Sequence, residues 1–268
     1  LLPFISRAIG AIELGKIGLA QTFGLLIILF IEFGSSLMAT REVARIKDDQ
    51  TNLKKFIDSL ITFKIFLIPI ALIFTLLSIL YFPTFKDSPN YVAIVVFGAI
   101  FQGISPTWYF QGIEKMKIIA LSKLFFRLIG FIAIIVYVKS SDDSWIVLAS
   151  YSLSSAATCL YLYFKIIKKL GLLTLSQPSQ SKLIFSKSMP SLLITIIPMI
   201  YQNIGVMALS VFVNPVQLGF YYGASRIHRA FNTLFGPISQ SFFPIISSIN
   251  IKNKTKSRLL IKNYLILI

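Results

Sequence analysis

The chain has 268 residues, 56% of them hydrophobic and 13% charged, with a formal net charge of +16 and a mean hydropathy of +0.79. Soluble domains usually carry about 25% charged residues, so this composition excludes an ordinary soluble enzyme and points to an all-α polytopic membrane protein. A single cysteine, Cys159, excludes a disulfide or a multi-cysteine metal site within these residues.

The opening LLPFI reads as the tail of a span, with no initiator Met. It lacks the basic lead and cleavage site of a signal peptide. Apolar runs long enough to cross a hydrocarbon core about 30 Å thick follow at 19–39, 60–82, 91–110, 118–138, 145–164 and 189–213. A more polar span runs over 218–247, and YLILI at the end reads as the start of another. The chain therefore reads as a piece of a longer protein.

Basic residues alternate along this order. Loops 40–59, 111–117, 165–188 and 248–258 hold sixteen Lys and Arg, whereas the intervening loops hold four, Arg7 and Lys16 among them. This is the positive-inside pattern, and it puts 40–59 in the cytoplasm and residue 1 at the outer end of a first helix. The charge thus sets topology, with attraction to anionic lipid headgroups second. Nucleic acid is not expected as a partner.

Polar residues inside the spans are costly, about 3 kcal/mol for a charge on insertion scales, and normally face protein or water. In 19–39, Gln21 and Glu32 share a helical face with Thr22, Ser35 and Ser36. Glu32 reads either as a coupling-ion site or as the partner of a lumen arginine. Lys64, one turn inside its span, is expected to snorkel.

In the fourth span, Gly103 and Pro106 loosen the cytoplasmic half. Trp108 and Tyr109 are expected at the inner interface, where amphipathic aromatics gather. Gln102 and Gln111 offer amide hydrogen bonds to a neighbouring helix or to sugar hydroxyls. Arg127 lies deep enough in 118–138 to face a lumen, while Lys123, one turn earlier, can snorkel. Pro190 and Pro198 bend 189–213. Over 218–247, Tyr222, Ser225, Arg226, Arg229, Asn232, Thr233, Gly236 and Gln240 recur at helical spacing, as one wall of a cationic, water-filled cavity would. His228 reads as a lumen or packing residue. A cationic cavity implies an anionic or phosphorylated cargo, since the arginine fork matches phosphate oxygens in pairs.

GAIELGKI (10–17) nearly matches a phosphate-binding loop but has Ile17 where Mg²⁺ coordination needs a hydroxyl. No metal cluster, cofactor motif or nucleophile stands out. A weak repeat aligns LGKIGLAQTF (14–23) with LGFYYGASRI (218–227), six crossings apart and so pointing the same way.

SRAIG (6–10), IEFGSSLMATREVARIKDD (31–49), PTWYFQGIEKMKIIALSK (106–123) and YYGASRIHRAFNTLFGPISQSFFPIIS (221–247) resemble the Wzx-type O-antigen flippases. These form the polysaccharide-transporter branch of the superfamily that also holds MATE exporters and the lipid II flippase. The resemblance covers essentially the whole chain and implies a MATE-like two-bundle fold with an incomplete second bundle. It implies an N-terminal bundle over 1–165, a cytoplasmic linker over 166–188 and the start of the C-terminal bundle over 189–268. The implied activity is movement of undecaprenyl-diphosphate-linked repeat units to the periplasmic leaflet of the bacterial inner membrane, without covalent catalysis or cofactor. Arg226, Arg229, Arg127 and Arg7 would attract the diphosphate, and Glu32 would couple to an ion or hold an arginine. Gly236-Pro237 and Pro198 are the candidate hinges. Membrane lipids and polysaccharide polymerase or assembly proteins are the implied partners. The alternative is a MATE-like multidrug or cation antiporter, which would want acids in the cavity.

Overall fold

The computed structural model describes residues 2–81, 83–176 and 178–248, with side chains described except at 2, 83–84, 178–181 and 232–248. The basic loop 248–258 and the closing YLILI therefore lie outside the described residues beyond Ser248, as do the side chains of Asn232, Thr233, Gly236, Pro237 and Gln240. Among the described residues there is no strand. Ten α-helices follow one another in the described residues: α1 (Leu2–Glu32), α2 (Ser35–Ile46), α3 (Gln50–Tyr81), α4 (Pro83–Lys86), α5 (Pro89–Ile104), α6 (Thr107–Gly112), α7 (Met116–Tyr137), α8 (Ser144–Leu170), α9 (Pro178–Phe212) and α10 (Pro215–Ser248). Among the described residues, α1, α3, the α5–α6 pair, α7, α8 and α9 supply six segments long and apolar enough to cross a membrane. Two compact units divide the chain, residues 1–219 and 220–268.

The span boundaries differ from those read off hydropathy. The first span is α1 itself, broken at Gly10 (φ 77°, ψ 175°), so Arg7 and Lys16 sit on helix either side of that break rather than in a loop. Hydropathy cannot separate a glycine break from a turn, because both leave the local average unchanged. The span ends at Phe33 and Gly34, not at 39. Gly34 adopts the left-handed conformation (φ 65°) that an L side chain takes only at a cost. A Cβ there would also fall 2.2 Å from the backbone nitrogen of Leu192 on α9. The short helix α2 follows, with Ala39 and Val43 buried and Arg41 and Arg45 exposed.

Polar contacts divide the ends of the helices as the basic alternation requires. Lys47 pairs with Glu114 at 3.3 Å and Lys187 with Glu42 at 3.9 Å, joining three of the basic loops at one end. Residues 13, 91 and 144 meet at the other.

α5 is the central element, packed against α1, α3 and α8. Small residues let it in. A Cβ on Gly98 would lie 2.5 Å from Ser152 Oγ, and one on Gly130 of α7 would lie 2.6 Å from Ser154 Oγ, the close approach that membrane helices achieve with glycine and serine. The Ser152 hydroxyl donates across to the Ile94 carbonyl at 2.8 Å, and the Ser154 hydroxyl to the Phe126 carbonyl at 2.9 Å. The far half of α3 (Phe66, Ile70, Ile73, Phe74, Leu77) and much of α7 (Leu121, Leu124, Phe125, Leu128) remain exposed. Such faces suit a lipid solvent, which costs an aliphatic side chain nothing.

Two repeat-related glycines meet. A Cβ on Gly15 would lie 2.3 Å from the Pro215 carbonyl oxygen, and one on Gly219 would lie 2.0 Å from that of Ala11. The LG pairs aligned in the sequence thus cross in space, with Leu14 and Leu218 both buried.

Candidate substrate cavity

Pro106 decides the shape of the site. It has no N–H to donate to the Gln102 carbonyl, and Ser105 turns extended (φ −54°, ψ 132°), so the fourth span breaks into α5 and α6. The loosening expected at Gly103 and Pro106 is a complete break. Two side chains from other helices take the freed carbonyls: Lys64 Nζ of α3 donates to Gly103 O at 2.9 Å, and the Tyr163 hydroxyl of α8 donates to Ile104 O at 2.7 Å.

Two expectations are overturned here. Lys64 does not snorkel; it is 1% exposed, because a carbonyl acceptor waits for it inside the protein. Trp108 and Tyr109 do not belong to an interfacial belt. They are 0% and 1% exposed and pack with Val43, Leu53, Ile57 and Leu60 in the core at the α2 end of the bundle. The break tips α6 under α2, which covers the rings.

The break opens a cavity of about 310 Å³. Glu32 lines it at the end of α1, Gln102 and Ser105 at the break, Lys123 and Arg127 on α7, and Ser154 and Thr158 on α8. Lys123 therefore contributes to the cavity beside Arg127, one turn apart on one face. The Arg127 guanidinium carbon stands 4.4 Å from the centre of the Tyr151 ring, a cation–π contact that holds its plane. Glu32 accepts a hydrogen bond from the Ser36 hydroxyl at 3.3 Å. It lines the same cavity as Arg127.

The other site residues lie elsewhere. Arg7 is exposed on α1 ahead of the Gly10 break. Arg226 and Arg229 belong to the second unit, one turn apart on α10, where Arg226 donates to the Tyr222 hydroxyl. Sequence reasoning missed the α8 wall. The run SLSSAAT (152–158) was its signal, because small polar side chains at helical spacing inside a span let a neighbouring helix and water come close.

A second polar group missed in the sequence sits at the outer end. The Glu13 carboxylate pairs with Lys16 at 2.7 Å and accepts from the Tyr91 hydroxyl at 2.6 Å and the Ser144 hydroxyl at 3.1 Å. It ties α1, α5 and α8 together beside a cavity of about 670 Å³.

The chain is 29% identical over 267 residues to a protein of Escherichia coli strain K12 named "Putative O-antigen transporter", and 23% identical over 253 residues to one of the same name from Shigella dysenteriae. These alignments cover 98% and 92% of this chain and 64% and 62% of the relatives, so the chain spans somewhat under two thirds of their length. No solved structure gives a significant match. The family model described as "Polysaccharide biosynthesis protein" matches residues 1–250, and the chain belongs to that family.

Proposed function

We propose that the protein moves a lipid-linked O-antigen or related polysaccharide repeat unit from the cytoplasmic to the outer leaflet of the bacterial inner membrane, without covalent chemistry. The observation that carries this reading is the cavity at the α5–α6 break, inside the membrane-spanning bundle, with Arg127 and Lys123 on one wall. Two cations side by side on one cavity wall within a membrane-spanning bundle attract an anionic occupant, and a diphosphate linker supplies one. The names of the two relatives point to the same cargo, and a transporter needs no catalytic group.

Size limits what the cavity receives. At about 310 Å³ it stands at the small end of ligand pockets, which run to about 1,000 Å³. It suits a phosphorylated headgroup rather than a whole oligosaccharide, so the sugars lie beyond it and the polyprenyl tail stays in lipid. Arg226 and Arg229 on α10 and Arg7 on α1 are further candidates to attract the diphosphate, and Glu32 is the candidate for ion coupling. Residues 1–165 would act as one bundle and 189–268 as the start of another, rocking about Pro198 and Gly236-Pro237. The crossing of Gly15 and Gly219 closes the outer end in this state. Polymerase or assembly proteins would receive the product.

The test uses the full-length gene product in cells lacking their own flippase and supplied with the matching glycan pathway. Surface O-antigen is measured against membrane protein level. The wild type restores the ladder, and the Arg127→Ala variant and the Arg226→Ala/Arg229→Ala pair lose it at equal expression. A wild type that restores nothing overturns the reading. Arginine variants that transport fully overturn the arginine assignment.

A further inference from the structure

A buried lysine inside a membrane span demands a reason. The Lys64 ammonium has three donors to satisfy at a buried position, and one goes to the Gly103 carbonyl at 2.9 Å. That carbonyl belongs to the last turn of α5, where unpaired C=O groups carry the negative end of the helix dipole. The Gly103 α-carbon lies directly against α1, so that an added Cβ would fall 2.8 Å from Ile31 Cβ. Ile31 precedes Glu32, and the Glu32 carboxylate and the Cys159 thiol are the titratable groups placed to act on the ammonium. One short path therefore runs from a carboxylate in the cavity, through a buried cation, to the carbonyl beside the break that shapes the cavity wall.

We propose that Lys64 is a positioning residue of the transport cavity: its ammonium, balanced by Glu32, holds the Gly103 carbonyl and thereby sets the Ser105–Pro106 break and the wall formed by Gln102 and Ser105. Its importance for transport rests on the function proposed above; its hold on the break does not. The consequence is mechanical. A cation or proton that neutralises Glu32 leaves the ammonium without its counter-charge and loosens the break. Glu32 thus acts on α5 and α6 through Lys64. Tyr163, on Ile104 O, is neutral and does not share this sensitivity.

The test is thiol accessibility in the full-length gene product, with all other cysteines replaced and N-ethylmaleimide as the probe. One reporter is Thr107→Cys, at the cavity just past the break. The other is Ser155→Cys, on the α8 wall of the same cavity. Lys64→Met keeps the length of the side chain and removes its charge and donors. It speeds modification at position 107 by about tenfold, the population shift that loss of a charged hydrogen bond gives, and leaves position 155 unchanged. Glu32→Gln speeds position 107 in the same direction, and the double variant goes no further than Lys64→Met alone. Three results overturn the proposal: no change at 107 in Lys64→Met, equal change at both reporters, or full additivity of the two substitutions. In the complementation assay Lys64→Met lowers surface O-antigen at equal protein level. A wild type that gives no O-antigen sinks the transport reading and leaves the labelling result standing.

Discussion

Replacing Gly219 with Ala tests the proposal that the crossing of Gly15 and Gly219 closes the outer end. An added Cβ would lie 2.0 Å from the Ala11 carbonyl oxygen and 3.2 Å from the Gly15 nitrogen. Backbone cannot yield as a side chain can, so α1 and the start of α10 must separate by roughly 1 Å, at an overpacking cost of about 1–3 kcal/mol. Against that, alanine favours the helix over glycine by about 1 kcal/mol. The net of up to about 2 kcal/mol disfavours the crossed state and multiplies the open population by up to about thirtyfold. The assay is a cysteine at Leu14, 6% exposed, in an otherwise cysteine-free full-length protein. It is labelled from outside intact spheroplasts with a membrane-impermeant maleimide. Gly219→Ala raises the labelling rate severalfold, and Gly15→Ala does the same because its Cβ would meet the Pro215 carbonyl at 2.3 Å. The double variant adds little, since both changes open one contact. Unchanged labelling in both single variants, at wild-type protein level, refutes the crossing as a closure.

Arg127→Lys keeps the charge but loses the planar group over Tyr151, so it transports less than wild type and more than Arg127→Ala in the surface O-antigen assay. Asp58 holds the segment between α8 and α9, accepting from the Thr174 amide at 3.1 Å and the Thr174 hydroxyl at 2.8 Å. Asp58→Ala gives up about 1.5–3 kcal/mol for each charged hydrogen bond, and hydrogen exchange at 172–176 rises sharply while α3 keeps its protection. Asp49 caps α3, and the backbone amide of Asn52 and then its side-chain amide hold the Asp49 carboxyl below the ordinary aspartate range. Its native pKa is depressed, so the capping contribution is present above the unfolded value and is lost as pH falls through the native one. Exchange at Thr51 and Asn52 therefore accelerates in acid below the usual aspartate range, and Asp49→Ala removes that pH dependence.

Much of this protein is written in one dimension. A charge content half that of soluble domains, with apolar runs of membrane length, decides the class, because the lipid core excludes unpaired backbone and admits helices. Basic residues on alternate loops decide which ends lie together, and the pairs Lys47–Glu114 and Lys187–Glu42 bear this out. Pro106 announces a weak point in its span because it lacks an N–H, but Pro69, Pro190 and Pro198 lie inside helices that continue, so the complete break was not legible. The LG repeat marks two glycines that then cross. Arg127 and Glu32 were legible as residues too costly to face lipid.

The tertiary structure decided the rest, and for one physical reason. Helical spacing says which residues share a face but not which neighbour that face meets. Lys64 looks like a snorkelling residue until a carbonyl freed on another helix turns inward to accept its hydrogen bond. Trp108 looks like an interfacial anchor until the same break tips it under α2. The α8 serines are unremarkable until α5 and α7 close on them, and only then do they become the third wall of a cavity whose charged walls the sequence had already supplied.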